Sequence, residues 1–166
     1  MENKDLSFDA YAYFEQLTKE NKLVVNHKFK FTRVTNEDEL EEVMTNMRSN
    51  SAFFALDDSS NGIVYQPGNG GFFRKRVLSV FLLKRGRLNN MDDYVANMNI
   101  CRDIFNQVCS RMIKDGPLLF EKNIQLNLDQ LVFKQIENTL INGASGFYFM
   151  VNVVEPINLC YDDNVC

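Results

Sequence analysis

Phe72-Phe-Arg-Lys-Arg-Val-Leu-Ser-Val-Phe-Leu-Leu-Lys-Arg85 carries the strongest strand signal in the chain, and its reading decides the fold. At its centre Val77, Leu78, Val80, Phe81, Leu82 and Leu83 put apolar side chains into both alternation registers. A strand with one wet face alternates apolar with polar; one covered on both faces is apolar throughout. The run therefore predicts a central strand with material packed on each side of its sheet.

Downstream of it, Asn90 reads as a helix N-cap with Asp93 at the third helical position. Met91, Tyr94, Val95, Met98, Cys101, Ile104, Phe105, Val108, Cys109 and Met112 then keep one face apolar. The spacing predicts a helix over 91–114, about 36 Å long at 1.5 Å per residue, stopped by Gly116 and Pro117. Ile124, Leu126 and Leu128 alternate, Leu131 to Glu137 offers another strand, and Asn142-Gly143 with Ser145-Gly146 marks a turn. Phe147 to Val154 is the last strand, ended by Pro156.

Upstream, Ser7 is a suitable N-cap with Asp9 in the first turn, and Phe8, Tyr11, Phe14 and Leu17 predict a helix over 8–20. Lys28 to Val34 alternates as a strand with one wet face. Thr35-Asn-Glu-Asp38 reads as a capping box with Asp38 in the place of Glu or Gln, ahead of a helix over 36–48 striped by Leu40, Val43, Met44 and Met47. Ala52 to Leu56 is a short apolar strand. Asp57 to Gly71 is dense in turn formers, with only Ile63, Val64 and Tyr65 able to make a brief strand, and a loop of that length in a compact domain usually carries function. The expected fold is α+β: a mainly antiparallel sheet packed by one long helix and two shorter ones. It is expected to be a single domain over 1–166, with a short irregular tail over 157–166.

Composition narrows the function classes. The 166 residues are 45% apolar and 24% charged, an ordinary globular balance that argues against disorder. The opening Met-Glu-Asn-Lys-Asp lacks the apolar core of a signal peptide, and no stretch approaches about 18 apolar residues. A soluble protein made in the cytoplasm, without membrane contact, is expected. Cys101, Cys109, Cys160 and Cys166 include no C-x-x-C pair, and the single His27 completes no common zinc set. Cys101 and Cys109 fall on the apolar side of the long helix, and all four are expected as reduced thiols.

Catalytic chemistry finds little support. His27 has no Ser, Cys or acid at a recognisable catalytic spacing. Gly68-Asn-Gly-Gly71 is followed by a strand with no Gly-Lys-Ser/Thr, so it reads as a hairpin tip and not as a phosphate cradle. Asp57-Asp58, Asp92-Asp93 and Asp162-Asp163 fit no calcium loop. No catalytic residue, metal or cofactor is expected.

Charge is the feature above background. Between Gly71 and Arg87 stand Arg74, Lys75, Arg76, Lys84, Arg85 and Arg87 without one acid, leaving 12 basic against 22 acidic residues elsewhere. The helix over 36–48 opens with Glu37, Asp38, Glu39, Glu41 and Glu42. Three readings stay open: charges that solubilise strand ends, contact with nucleic-acid phosphates helped by stacking on Phe72, Phe73 and Tyr65, and self-association of unlike surfaces. On the last, the contact residues are Arg74, Lys75 and Arg76 on the strand, the loop around Asp57, Asp58, Tyr65 and Gly70, and Glu41 and Glu42 as the acidic counterpart.

The element order, with RKRVLSVFLLKR at 74–85 feeding the helix 91–114 and QIENTLINGASGFYFMVNVVEP closing at 135–156, resembles the small tail-terminator and head–tail joining proteins of tailed phages and related elements. That resemblance implies a non-enzymatic ring, often hexameric, at the junction of tail and neck. Its partners would be copies of itself and the tail-tube and neck proteins, with non-specific DNA contact in reach, and its place the virion. The alternative is a small nucleic-acid-contacting or regulatory domain of a mobile element. The tail after Pro156, with Cys160 and Cys166, has no counterpart in the phage plan.

Overall fold

Phe72–Arg85 forms one unbroken strand in the middle of a six-stranded sheet. The computed structural model describes residues 7–46, 51–58, 62–141 and 143–159, with the side chains of 37, 41, 43, 44, 46 and 137–141 set aside. In chain order the elements are α1 (Ala10–Glu20), α2 (Lys22–Asn26), β1 (Lys30–Arg33), α3 (Glu37–Asn46), β2 (Ala52–Asp57), β3 (Gly62–Tyr65), β4 (Phe72–Arg85), α4 (Met91–Phe120), β5 (Gln125–Ile141) and β6 (Ala144–Ile157). The sheet runs β1-β2-β4-β6-β5, with only the β1–β2 pair parallel and α3 as its crossover. β2 and β3 lie one after the other along the same side of β4, β2 against Ser79–Lys84 and β3 against Phe73–Arg76. The α+β class and the mainly antiparallel sheet are as the sequence predicts.

β4 is covered on both faces at its centre. Leu78, Val80 and Leu82 point into the larger core with Phe54, Phe149 and Val151, under Phe14 of α1 and Ile104, Val108 and Met112 of α4. Phe81 and Leu83 point the other way, into a smaller core with Phe53, Ala55, Val34 and Leu40 of α3. Each fully buried Leu, Phe or Met is worth roughly 1.5–3 kcal/mol of transfer free energy. Apolar residues in both registers are what such a position requires.

Several boundaries differ from the sequence expectation, each for a tertiary reason. α1 is capped by Asp9, whose carboxylate accepts from Ala12 N–H at 2.9 Å, and not by Ser7. Phe8 is drawn onto the sheet instead, its N–H donating to Glu155 Oε2 at 2.6 Å. α2 was not anticipated; five residues are too short for a periodic signal, and Asn21 caps it by accepting from Leu23 and Val24. The box at α3 is shifted by one: Asn36 accepts from Glu39 N–H at 2.7 Å while Glu39 reaches back to Thr35 N–H and hydroxyl. Met47 and Arg48 lie outside the described residues.

α4 passes through Gly116 and Pro117 and ends at Phe120, 30 residues in all, about 45 Å. Leu119 packs on the larger core, and the end closes where Asn123 takes φ +59°. Ile124 N–H then donates to Leu119 C=O at 3.0 Å and Asn123 N–H to Phe120 C=O at 2.9 Å. The anchoring of this last turn outweighs the hydrogen bond that Pro117 cannot make. The two strand signals after α4 belong to one strand, β5, whose register against β6 shifts between Asn127 and Val132. β6 starts at Ala144, so Ser145-Gly146 is strand and not turn. It also runs past Pro156 to Ile157, which is tolerated because β5 begins opposite Val154 and leaves β6 a single neighbour there.

Gly146 is held by space. A Cβ there would lie 1.8 Å from Leu82 C=O and 3.2 Å from Cys101 Sγ, so β4 and α4 close on bare backbone. Gly146→Ala should lower stability by about 2 kcal/mol or more, read as a drop in the urea midpoint. Gly71→Ala, with nothing within 4 Å of the added carbon, should leave that midpoint where it is.

Candidate functional site

β3, the first half of β4 and the last third of β6 make an arm that extends the sheet beyond α3. Its root is an ion-pair cluster. Glu155 sits in the register Val151, Val153, Glu155, Ile157, whose valines face the larger core, and is 0% exposed. Its Oε1 accepts from Arg76 Nε and from Arg74 Nε, each at 2.9 Å. Arg76 Nη2 donates to Phe8 C=O at 2.6 Å and Nη1 to Asp58. Burial pushes the Glu155 carboxyl up, but the hydrogen bonds from Phe8 N–H, Arg76 and Arg74 outweigh it and hold the group below its ordinary value. One buried carboxylate thus ties β4, β6, the β2–β3 junction and the N-terminal segment together.

The surface of the arm is apolar. Ile63, Val64 and Tyr65 of β3 are 60%, 53% and 38% exposed, with Phe72 beside them at the start of β4. Tyr65 packs on Phe73, ring centroids 6.2 Å apart. On the face that α3 shares, Gly62, Ile63, Lys75, Val77 and Asn152 line a shallow groove of about 340 Å³. The hairpin tip is held by Gly70 N–H to Pro67 C=O at 3.4 Å and Gln66 Nε2 to Gly70 C=O at 2.7 Å.

The residues singled out from sequence fall into three places. Arg74, Arg76 and Asp58 are in the root cluster, and Arg76 is buried, so these two arginines act first within the molecule. Lys75, Tyr65 and Gly70 are on the arm, Lys75 on the face opposite Arg74 and Arg76, with Asp57 at the end of β2. Glu42 is exposed on α3; Glu41 belongs to the same helix, its side chain outside the described ones. The structure therefore breaks the basic triplet into two arginines turned toward Glu155, Arg76 buried and Arg74 half-exposed, and one lysine on the other face, because neighbours in a strand point to opposite faces.

The rest of the basic run is also partly engaged: Arg87 pairs with Asp93 at 2.9 Å, and Arg85 lies over the Phe53 ring, 5.5 Å from its centroid. Sequence reasoning missed Glu155 and Phe8. An acid in an otherwise valine-lined register was the available signal for Glu155; nothing local pointed to Phe8.

His27 is the partly buried C-cap of α2. Burial pushes the Cys101 thiol up to about 12 and Cys109 up to about 11, the behaviour of packed sulfur. Cys160 and Cys166 lie outside the described residues. Among the described residues no group of three or more His, Cys, Asp or Glu could hold a metal ion, and no helix is long and apolar enough to cross a membrane. No protein-family profile matches this chain, and no curated protein matches it in sequence.

Glu155→Gln should cost about 3–5 kcal/mol, because it removes a fully buried carboxylate, takes from the buried Arg76 one of its two anions and takes from the half-exposed Arg74 the anion it binds. The sign of the pH effect follows from the lowered carboxyl. Stability from Glu155 is complete above the ordinary carboxylate range and is lost as pH falls through its folded value. Thermal melts of the wild type should therefore drop on acidification through that range, and the Gln variant should show a shallower acid limb.

Proposed function

We propose that this chain is a non-enzymatic structural subunit of a phage or phage-like particle, assembling with copies of itself into a ring at the junction of tail and neck. The single observation that carries the reading is the arm. A strand pair anchored at its root by buried ion pairs keeps Ile63, Val64, Tyr65 and Phe72 exposed at its free end. Large apolar side chains clustered in water on an ordered element mark a contact surface. The element order supports the same reading: an N-terminal helix, strands around a polar turn, a long helix across the sheet and a closing hairpin. An arm on one side of the subunit and an acidic α3 elsewhere are unlike surfaces. Head-to-tail contact between unlike surfaces closes into a ring when the rotation permits. Tail-tube and neck proteins would meet the two rims of that ring, in the virion.

Light scattering and electron microscopy of the purified chain test it. Ring particles should form with rising concentration and weaken with added salt. Ile63→Asp with Tyr65→Asp should raise the concentration for half-assembly about tenfold or more, equivalent to about 1.4 kcal/mol, with the circular dichroism spectrum unchanged. A wild type that stays monomeric at high concentration and low salt refutes the reading.

A further inference from the structure

We propose that the half of the sheet face that α3 and the other described residues leave open is covered, in the assembled protein, by α3 of a second copy of this chain. The proposal rests on the self-assembly reading above and names the contact that builds it.

The face in question is the one that holds the smaller core. Over β1, β2 and the end of β4 it is packed by Leu40 of α3. Beyond that point the same face continues through Ile63, Lys75, Val77, Met150 and Val154, and through Val132, which is 50% exposed. Its cations are Lys75, opposite Val154, and Lys134, opposite Tyr148, and it carries one acid, Asp57, opposite Ser79 at the border with the covered half. Among the described residues neither lysine has an ion-pair partner, although Lys134 Nζ lies 5.9 Å from the Tyr148 ring centroid. α3 is the chemical opposite. It carries five acids and no base, and Asp38 and Glu42 are exposed while Leu40 points inward.

Charge selects the occupant. Two open faces docked on each other would bring Lys75 and Lys134 against their own copies, and two α3 helices would bring acid against acid. Like-charge juxtaposition disfavours both symmetric arrangements, leaving the unlike pair, open face to α3. Dimensions agree. Val154 and Tyr148 are six residues apart on β6, about 20 Å at 3.3 Å each, and the ten-residue α3 is about 15 Å long. A helix of that length fits between the lysines, whose aliphatic stems lie on the apolar floor with the ammonium groups toward its carboxylates.

The test is a charge swap read by light scattering. Lys75→Glu/Lys134→Glu and Asp38→Lys/Glu42→Lys are both surface changes, and melting temperatures near that of the wild type verify that each variant folds. Each variant alone should need about tenfold or more protein to assemble, because its own two surfaces now repel. An equimolar mixture should regain wild-type assembly as alternating copies, since every contact in it is then between opposite charges. If the wild type assembles and both variants assemble like it, or the mixture fails to recover, α3 docking is wrong while the ring reading survives. If the lysine variant loses salt-dependent binding to duplex DNA yet assembles normally, the lysines serve nucleic acid and the proposal falls. A wild type that never assembles removes the ring reading itself.

Discussion

A carboxylate buried on a valine-lined strand face must find cations or remain protonated, and Glu155 finds two. Arg76 and Arg74 donate to one of its oxygens, Phe8 N–H donates to the other, and Asp58 accepts a further hydrogen bond from Arg76. Removing such charges from water is costly, and the mutual attraction repays it only when every donor is satisfied in good geometry. Arg76 meets that condition with three different partners, one of them a backbone carbonyl. The cluster therefore sets geometry at a place where three strands and the N-terminal segment meet. The start of α1 and the aim of the arm both depend on it. Even the displacement of the α1 cap from Ser7 to Asp9 follows from the pull on Phe8.

The second constraint is unequal cover. One face of the sheet lies under α1, α2 and α4, and the 30-residue α4 is long enough to cross it. Among the described residues the other face has only α3, ten residues long, over one end. A helix that short cannot reach β3 and the far half of β6. Among the described residues the apolar side chains there are left uncovered, beside Lys75 and Lys134, which form no ion pair. Among the described residues one face is fully covered and the other is covered over one end only, and the self-assembly proposed above would cover the rest. The charge pattern favours an unlike surface over a like one.

Legibility followed the range of the interactions. Phe72–Arg85 was readable to the residue because double-sided burial writes itself into consecutive side chains. The stripe of α4 was equally plain, and so was the turn-rich link before β4. The stop at Gly116-Pro117 was misread because Leu119 is anchored by the core, a fact no local window contains. The closing hairpin was displaced for a similar reason: Gly146 serves a close approach to Leu82 and Cys101, not a bend. Among the candidate residues the type was legible and the direction was not. Arg74, Lys75 and Arg76 read as one basic patch, yet alternation sends the arginines inward toward Glu155, 79 residues from Arg76.

By itself the sequence determined the class of fold, the central strand, the long helix and the separation of a basic strand from an acidic helix. Those are properties of composition and period, set by neighbours a few residues apart. Tertiary structure alone decided which of the charges are interior and which face of the sheet stays open. Ion pairing and helix cover join residues distant along the chain, so the six cations of one short run acquire different roles only once the sheet has brought Glu155, Asp58 and Phe8 beside them.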